Sequence, residues 1–181
     1  MTSPGRGPRV LLREWRTSDL DAFVEMNGDP VVMATIGPVM DSDASLAMLE
    51  RIGRHFQDHG FGLWCVDVAG EAVGFCGLSR PWFRDGVEIG WRLRSAHWGQ
   101  GYATEAAELV LEWAFDADGG DLDQVVSFTA ATNHRSQAVM RRIGLEHVAA
   151  EDFDHPGLPE GSPLRPHVLY SMTRDRYRSR A

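Results

Sequence analysis

The chain has 181 residues, of which 43% are hydrophobic and 24% are charged, a composition typical of a folded protein with about one domain. Its 18 basic and 26 acidic side chains give a formal net charge of −8, which disfavours a general nucleic-acid binder. The chain begins with a polar stretch rich in Pro and Gly, and it contains no apolar run of about 18 residues. We therefore expect no membrane span and no secretory leader, and we predict a cytoplasmic protein.

The first third of the chain is predicted to form two helices. Residues 17–19 (TSD) supply N-cap side chains before an apolar pattern, and residues 27–30 (NGDP) end this first helix. A second helix is predicted to begin after residues 41–43 (DSD) and to end near Gly60, because apolar residues recur at helical spacing between them. Both helices therefore have an apolar face to bury.

A β-hairpin and a third strand are predicted in the middle of the chain. Residues 62–68 and 72–78 are β-rich runs around an Ala-Gly-Glu turn, and residues 86–93 are typical of a further short strand. Cys65 and Cys76 lie in the two hairpin strands and could face each other. Two cysteines are too few for a disulfide framework or a four-ligand zinc site, so we predict reduced core thiols.

The second half alternates helices and strands. In chain order the predicted elements are a glycine-rich turn (98–102), a helix (104–115), a buried strand (125–129), a short helix (136–143) and two closing strands (145–149 and 167–173). A polar, proline-rich loop of the kind that is usually functional or mobile separates the closing strands (150–166). This order indicates the mixed α/β class with one sheet. We expect a single domain over residues 1–181, with a core at about 9–175 and flexible tails at 1–8 and 176–181.

The strongest chemical signal is the turn between the third strand and the long helix. Gly99 and Gly101 allow a tight turn whose backbone N–H groups point one way at a helix N-terminus, which suits a phosphate or pyrophosphate. A turn that only joins strand to helix is an equal alternative. A P-loop is excluded because the chain has no lysine, and a dinucleotide-binding turn is disfavoured because Thr104 replaces the third glycine.

Two segments carry a family resemblance. Residues 87–106 (VEIGWRLRSAHWGQGYATEA) followed by residues 133–146 (NHRSQAVMRRIGLE) resemble the GNAT superfamily of acetyl-CoA-dependent N-acetyltransferases, in particular the branch that acetylates ribosomal-protein N-termini. The resemblance extends over about 12–173. It implies one mixed, mostly antiparallel sheet that is splayed at a central cleft and flanked by helices. It also implies an acyltransferase that moves an acetyl group directly from acetyl-CoA to a primary amine, with no metal.

The resemblance implies an acetyl-CoA site built largely from backbone groups. Trp91, Arg92 and Leu93 would offer backbone hydrogen bonds to the pantetheine arm and the acetyl group. Asn133 matches the family asparagine that contacts the pantetheine. The pyrophosphate would lie on the backbone N–H groups of seven consecutive residues: Trp98, Gly99, Gln100, Gly101, Tyr102, Ala103 and Thr104.

We also expect charged side chains near the glycine turn. Many relatives have Lys where this chain has Gln100, so we expect one of the nearby arginines to assist at the phosphates: Arg94, Arg141 or Arg142. Three acids of the following helix are predicted to form a solvated face: Glu105, Glu108 and Glu112.

Two residues are candidates for proton transfer. Glu88 is the candidate general base because it lies on the strand that leads to the acetyl site and its family match faces the cleft; the alternative is a solvated or salt-bridged strand glutamate. Ser136 is the candidate proton donor to the CoA thiolate; the alternative is the N-cap of the helix predicted at 136–143.

The acceptor is left open between a small amine and a protein N-terminus. Four acids of the proline-rich loop against a single arginine, Arg165, suggest a cationic acceptor: Glu151, Asp152, Asp154 and Glu160. Trp82 and Phe83 form an aromatic pair in a loop that could contact it. The alternative function is a non-catalytic CoA-binding sensor or partner module. We expect neither a nucleic-acid nor a membrane partner, and the sequence allows a homodimer.

Overall fold

The computed structural model describes residues 3–180, whose strands join into one mixed sheet flanked by helices. In chain order the strands are β1 (Gly5–Arg6), β2 (Val10–Arg13), β3 (Leu63–Val68), β4 (Glu71–Ser79), β5 (Glu88–Leu93), β6 (Gln124–Ala130), β7 (Glu146–His147), β8 (Phe153–Asp154) and β9 (Pro166–Thr173). The helices are α1 (Leu20–Gly28), α2 (Pro30–Met33), α3 (Ser42–His59), α4 (Tyr102–Phe115), α5 (His134–Arg142) and α6 (Arg174–Arg178). The predicted α/β class is confirmed.

The sheet opens between two central strands. Its order is β1-β2-β3-β4-β5-β6-β9-β7, with β8 on β9, and its neighbouring strands are antiparallel except for β5 and β6. Within residues 3–180, these two parallel strands share one registered pair, Glu88 opposite Val126, beside a hydrogen bond from the Val126 amide to the Val87 carbonyl oxygen (2.9 Å). Beyond this pair the strands separate toward their carboxyl ends. The predicted splay at a central cleft is therefore confirmed.

Helices α4 and α1 cover opposite faces of the sheet. Trp64 on β3 pairs with Cys76 on β4, and its ring lies 5.2 Å from that of Trp113 on α4. Phe75, the neighbour of Cys76, lies 6.4 Å from Phe23 on α1. Because successive residues of a strand point to opposite faces, α4 packs on one side and α1 on the other.

Local sequence signals explain the helix ends. Asp41 caps α3, where its carboxylate accepts a hydrogen bond from the Ala44 amide (2.8 Å), and Gly60 ends the helix in the left-handed conformation with φ +76°. Pro30 is the first residue of α2. The backbone amide at this position has no acceptor within a helix, so a proline, which lacks the N–H group, costs no hydrogen bond there. The two helices predicted between residues 17 and 60 are confirmed, but the predicted cap is not, because Thr17–Asp19 form a 3-10 turn before α1 and Asp19 makes no side-chain cap hydrogen bond to it.

The N-terminal strands were not predicted. Val10 and Leu12 of β2 are buried in the core, but a four-residue run after a Pro- and Gly-rich stretch is too short to signal a strand by alternation. Secondary structure also extends into both expected tails, since β1 lies within 1–8 and α6 reaches Arg178. Residues 1, 2 and 181 of these tails lie outside the described residues, and the expected flexibility stays a prediction.

The two cysteines are free and buried, as predicted. Cys65 pairs with Phe75, and Cys76 pairs with Trp64, so the two thiols point to opposite faces of the hairpin instead of facing each other. Burial raises the pKa of Cys65 to about 12 and also raises that of Cys76, which keeps both thiols protonated. Among the described helices, none is both long enough and apolar enough to cross a bilayer.

Candidate active site

The glycine turn forms the expected helix N-terminus. Gly99 and Gly101 have φ of +77° and +82°, a region that side chains disfavour, and Gly101 is the N-cap of α4. The first-turn amides of α4, from Tyr102 to Thr104, have no acceptor within the helix and are available to an anion. The Trp98 amide is different, because it donates to the Ser95 carbonyl oxygen (3.2 Å).

The backbone of β5 offers fewer groups to the cleft than we predicted. The Arg94 amide donates to the Val73 carbonyl oxygen on β4. Every second residue of a strand directs its backbone N–H and C=O groups to the same neighbouring strand. The backbone groups of Arg92 therefore also face β4, away from the cleft. Trp91 and Leu93 face the open side. The Leu93 carbonyl oxygen already accepts the indole N–H of Trp98 (2.9 Å). Of the three residues, Trp91 is therefore the one whose backbone N–H and C=O groups both remain available to the pantetheine arm.

Two arginines that the sequence did not indicate lie at the turn. Arg9 donates from Nη1 to the Gln100 carbonyl oxygen (2.7 Å), and its guanidinium lies 5.1 Å from the centre of the Tyr102 ring. Arg135, in the first turn of α5, stacks on Trp98 at 4.6 Å. Both place positive charge beside the amides that would bind phosphate.

Two of the arginines expected near the phosphates are engaged elsewhere. Arg94 forms ion pairs with Glu25 (2.7 Å) and Glu71 (2.6 Å), and Arg141 donates to the Tyr170 hydroxyl (3.1 Å). These contacts direct Arg94 and Arg141 away from the turn, whereas Arg142 is exposed and its expected role at the phosphates stays a prediction.

Glu105 is a structural residue and not part of a solvated face. Its Oε1 accepts hydrogen bonds from the amides of Arg9 (2.7 Å) and Val10 (3.0 Å), and its Oε2 accepts one from Arg9 Nε (2.8 Å). Burial alone would raise the pKa of Glu105, but these hydrogen bonds and the guanidinium charge lower it below its usual range. The carboxylate thus ties the start of β2 to the start of α4. Glu108 and Glu112 are exposed, as predicted.

Glu88 is partly buried where the two central strands separate. Its Oε2 accepts a hydrogen bond from the Ser79 hydroxyl (3.2 Å), and among the described residues no cation lies within ion-pair distance. Burial raises the pKa of Glu88 to about 7, despite the opposing effects of Ser79 and the Arg84 charge. A carboxylate of this pKa can exchange a proton near neutral pH, so the alternative of a solvated or salt-bridged glutamate is not supported.

Asn133, not Ser136, is the N-cap of α5. The Asn133 Oδ1 accepts the Ser136 amide (3.2 Å), and its Nδ2 donates to the Thr129 hydroxyl (3.0 Å). The alternative of Ser136 as the N-cap is therefore wrong, since α5 begins two residues earlier, at His134, and the proton-donor role of Ser136 stays a prediction. Asn133 and the half-buried Ser136 follow β6, across the opening from β5.

An aromatic wall lies on the Glu88 face of the sheet. Phe128 lies two residues after Val126, the partner of Glu88, so both side chains share that face. We use "aromatic wall" for five packed rings: Phe83, Phe128, Phe153, His155 and His167. Burial lowers the pKa of both histidines and favours their neutral forms. Trp82, 78% exposed, extends the wall against Phe83 at 5.4 Å.

The acidic loop presents fewer unpaired carboxylates than we expected. Three of its four acids already have cationic or basic partners: Glu151 with Arg84 (2.9 Å), Asp152 with His147 (2.9 Å) and Asp154 with Arg165 (3.4 Å). The loop also contains β8, which pairs with β9. Glu160 is the one loop acid without an ion pair among the described residues, so the loop offers less free negative charge than expected, and the cationic acceptor stays a prediction. Within residues 3–180, no group of three His, Cys, Asp or Glu side chains is placed to hold a metal.

Comparison with known proteins fits this geometry. Residues 9–146 match the family described as "Acetyltransferase (GNAT) domain". The FsC-acetyl coenzyme A-N(2)-transacetylase of Aspergillus fumigatus is 35% identical over 130 residues, which cover 65% of this chain and 52% of that protein. This chain thus spans about half the length of that relative.

Solved structures share the fold. An acetyltransferase from Agrobacterium tumefaciens str. C58 superimposes with a TM-score of 0.77 at 26% identity, covering 95% of this chain and 94% of that one. The ribosomal-protein alpha-N-acetyltransferase RimL, solved with coenzyme A, has a TM-score of 0.77 at 16% identity and covers 97% of this chain and 99% of its own. At that identity the likeness shows the fold alone.

A splayed mixed sheet with a glycine turn at the start of α4 is the architecture of an acyltransferase that uses acetyl-CoA. The chain belongs to the GNAT acetyltransferase family. It is an enzyme that catalyses acetyl-CoA-dependent acetylation, and the sequence-based prediction of this family is confirmed.

Proposed function

We propose that this enzyme acetylates a primary amine held on the α1 face of the sheet, next to Glu88. The supporting observation is the raised pKa of Glu88, about 7, at the base of the opening between β5 and β6. The acceptor would be a small amine or a protein N-terminus. Residues at about 9–175 would form a single catalytic domain, and the reaction would take place in the cytoplasm.

The proposed acetyl-CoA site uses the groups that the structure leaves available. The amides from Gly99 to Thr104 would bind the pyrophosphate, with Arg9 and Arg135 adding charge, and Trp91 would bind the pantetheine arm. A side chain at Gly101 would fill part of this space, because its Cβ would lie 3.3 Å from Arg9 Nη2. Bound acetyl-CoA supplies an activated thioester.

Glu88 and Ser136 would handle the protons. An amine with a pKa of about 8 to 10 is mostly protonated at neutral pH and must lose a proton to attack. Glu88 would take that proton, directly or through one water, as the C–N bond forms and the C–S bond breaks. Ser136 would give a proton to the departing thiolate and regain one from solvent.

Positioning would contribute more than proton transfer. Holding two reactants in register can lower a barrier by about 7–11 kcal/mol, whereas a general base contributes about 3–5 kcal/mol. The non-catalytic CoA-binding module is the less favoured alternative, because Glu88 has no structural ion pair that would explain its place in the cleft.

A thiol-release assay with acetyl-CoA and a panel of small amines and short peptides tests the proposal. We expect thiol release with at least one primary amine and a product, identified by mass spectrometry, that carries the acetyl group on nitrogen. Transfer to a hydroxyl, or acetylation of an enzyme side chain on the route to product, would contradict direct N-acetylation.

A further inference from the structure

Arg92 carries a buried charge whose hydrogen-bonding capacity is only partly used. Its Nη1 donates to Asn27 Oδ1 on α1 (2.6 Å), and its guanidinium lies 5.3 Å from the centre of the Phe75 ring. The Arg92 Nε is buried without a hydrogen-bond partner. Asn27 is fully buried, and its Nδ2 also lacks a partner. Arg92 Nη2 likewise forms no hydrogen bond among the described residues, and it is not one of the fully buried atoms.

Arg84 and Arg94 also have a buried Nε without a hydrogen-bond partner, but both form ion pairs, whereas Arg92 forms none within residues 3–180. Four arginines other than Arg92 form ion pairs of 2.6 to 2.9 Å: Arg9 with Glu105, Arg13 with Asp19, Arg84 with Glu151 and Arg94 with Glu71. Among the described residues, no carboxylate lies within ion-pair distance of Arg92. Burial lowers the pKa of Arg92 to about 10, which reflects the cost of an uncompensated charge.

Arg92 shares a sheet face with the proposed base. Glu88, Gly90 and Arg92 are every second residue of β5, so all three lie on the same face of the sheet, the face covered by α1. Gly90 has no side chain, and a Cβ there would meet Glu88 Oε1 at 3.7 Å as its nearest neighbour within 4 Å. The space above Gly90 is therefore open, with a carboxyl group at one end and a guanidinium at the other.

We infer that the acceptor is an amino acid, an amine that bears a carboxylate close to the reacting nitrogen, and that Arg92, held in place by Asn27, binds this carboxylate. The inference rests on the proposed function. The ligand carboxylate would pair with the Arg92 guanidinium through Nη2, which has no hydrogen-bond partner among the described residues, and would neutralise its charge, while the ligand ammonium group faces Glu88. A protein N-terminus offers only a neutral carbonyl at this place.

The aromatic wall on the same face indicates which amino acid to use as a probe. Its rings are apolar or neutral, and three of the four acids of the adjoining loop are paired, so an aromatic side chain fits better than a charged one. Three probes differ only at the relevant group: phenylalanine, phenylalaninamide and phenethylamine.

The test measures thiol release with each probe in the wild type and in two variants, Arg92→Met and Arg94→Gln. In the wild type we expect kcat/KM for phenylalanine to exceed that for phenethylamine at least tenfold, with phenylalaninamide near the lower value. Arg92→Met should reduce this ratio to about one while acetyl-CoA affinity, measured by calorimetry, stays unchanged. Arg94→Gln, the matched control, should keep the wild-type ratio because Arg94 is paired with Glu25 and Glu71.

Other outcomes would overturn the inference. Equal rates with all three probes would leave the proposed function standing and remove the carboxylate site. Loss of acetyl-CoA affinity in Arg92→Met, with a melting temperature near that of the wild type, would assign Arg92 to the anionic groups of CoA instead. No thiol release with any amine would contradict both the inference and the proposed function.

Discussion

Glu88 stands opposite Val126 at the point where the parallel strands β5 and β6 stop pairing. The carboxyl group therefore lies at the base of the opening, between the strand that leads to the glycine turn and the strand that leads to Asn133. Hydrogen bonding by Ser79 opposes the effect of burial only in part, so the pKa of Glu88 stays raised, at about 7. The sheet itself thus produces both the space for the reactants and the perturbed acid beside it.

Replacing Gly101 by alanine is expected to weaken acetyl-CoA binding at least tenfold. The substitution forces a side chain into a left-handed conformation, at a cost of about 1–2 kcal/mol, and brings its Cβ to 3.3 Å from Arg9 Nη2. Calorimetry with acetyl-CoA measures the effect. Gly70→Ala is the matched control, since Gly70 has φ +91° with no atom within 4 Å of its Cβ position and lies in the β3–β4 turn. Equal affinities for acetyl-CoA in the two variants would contradict a pyrophosphate site at the glycine turn.

Replacing Arg9 by glutamine is expected to reduce affinity for acetyl-CoA about tenfold, because one charged donor to phosphate is lost. The reduction should be smaller at high salt, where charge contacts are screened. Arg54→Gln is the control, because Arg54 is 61% exposed on α3 and pairs only weakly with Glu50 at 3.9 Å. Unchanged affinity in Arg9→Gln at low salt would show that backbone amides and the helix dipole suffice.

Replacing Glu105 by glutamine is expected to lower the free energy of unfolding by about 1–3 kcal/mol, since the side chain can no longer accept from two backbone amides and Arg9 together. For a chain of this size the melting temperature should fall by several degrees. Glu108→Gln, on the exposed side of the same helix, should melt like the wild type. Equal melting temperatures for both variants would return Glu105 to the solvated face that the sequence suggested.

The raised pKa of Glu88 also predicts how stability depends on pH. Between its usual value of 4.5 and about 7, the folded state holds a proton that the unfolded state has lost, so the free energy of unfolding falls as the pH rises through this window. Glu88→Gln should therefore be more stable than the wild type at pH 8 and similar to it at pH 4.5. Thermal melts over this range measure the difference. Parallel curves for the two proteins would mean that Glu88 titrates normally.

Local patterns in the sequence were sufficient for the turn and its helix. Gly99 and Gly101 directly precede an apolar helical repeat, and their positive φ angles depend only on neighbouring residues. Glu88 could be placed on its strand for the same reason. The helix that begins at His134 shows the limit of such signals, because Asn133 and Ser136 both have cap chemistry and only the backbone decides between them.

Contacts between distant segments could not be predicted. Arg9 and Glu105 are 96 positions apart, and neither carries a local signal that it meets the other. Likewise, the sequence gives no sign that Glu151 of the loop forms an ion pair with Arg84, which lies 67 positions earlier in the chain. The lack of an ion pair at Arg92 depends on how α1 packs against β5, and the sequence of one strand does not show which of its charged side chains lack a partner.

The most direct measurement for the central claim is the pH dependence of kcat/KM in the wild type and in Glu88→Gln, by thiol release with an accepted amine whose pKa is well above 8. The wild-type curve should rise and level off above about pH 7, the pKa of Glu88. In Glu88→Gln, kcat/KM should be 10²- to 10⁴-fold lower at pH 7. It should then increase steadily with pH up to the pKa of the amine, with no levelling near pH 7. Wild-type rates with the same bend in the variant would contradict the assignment of Glu88 as the general base.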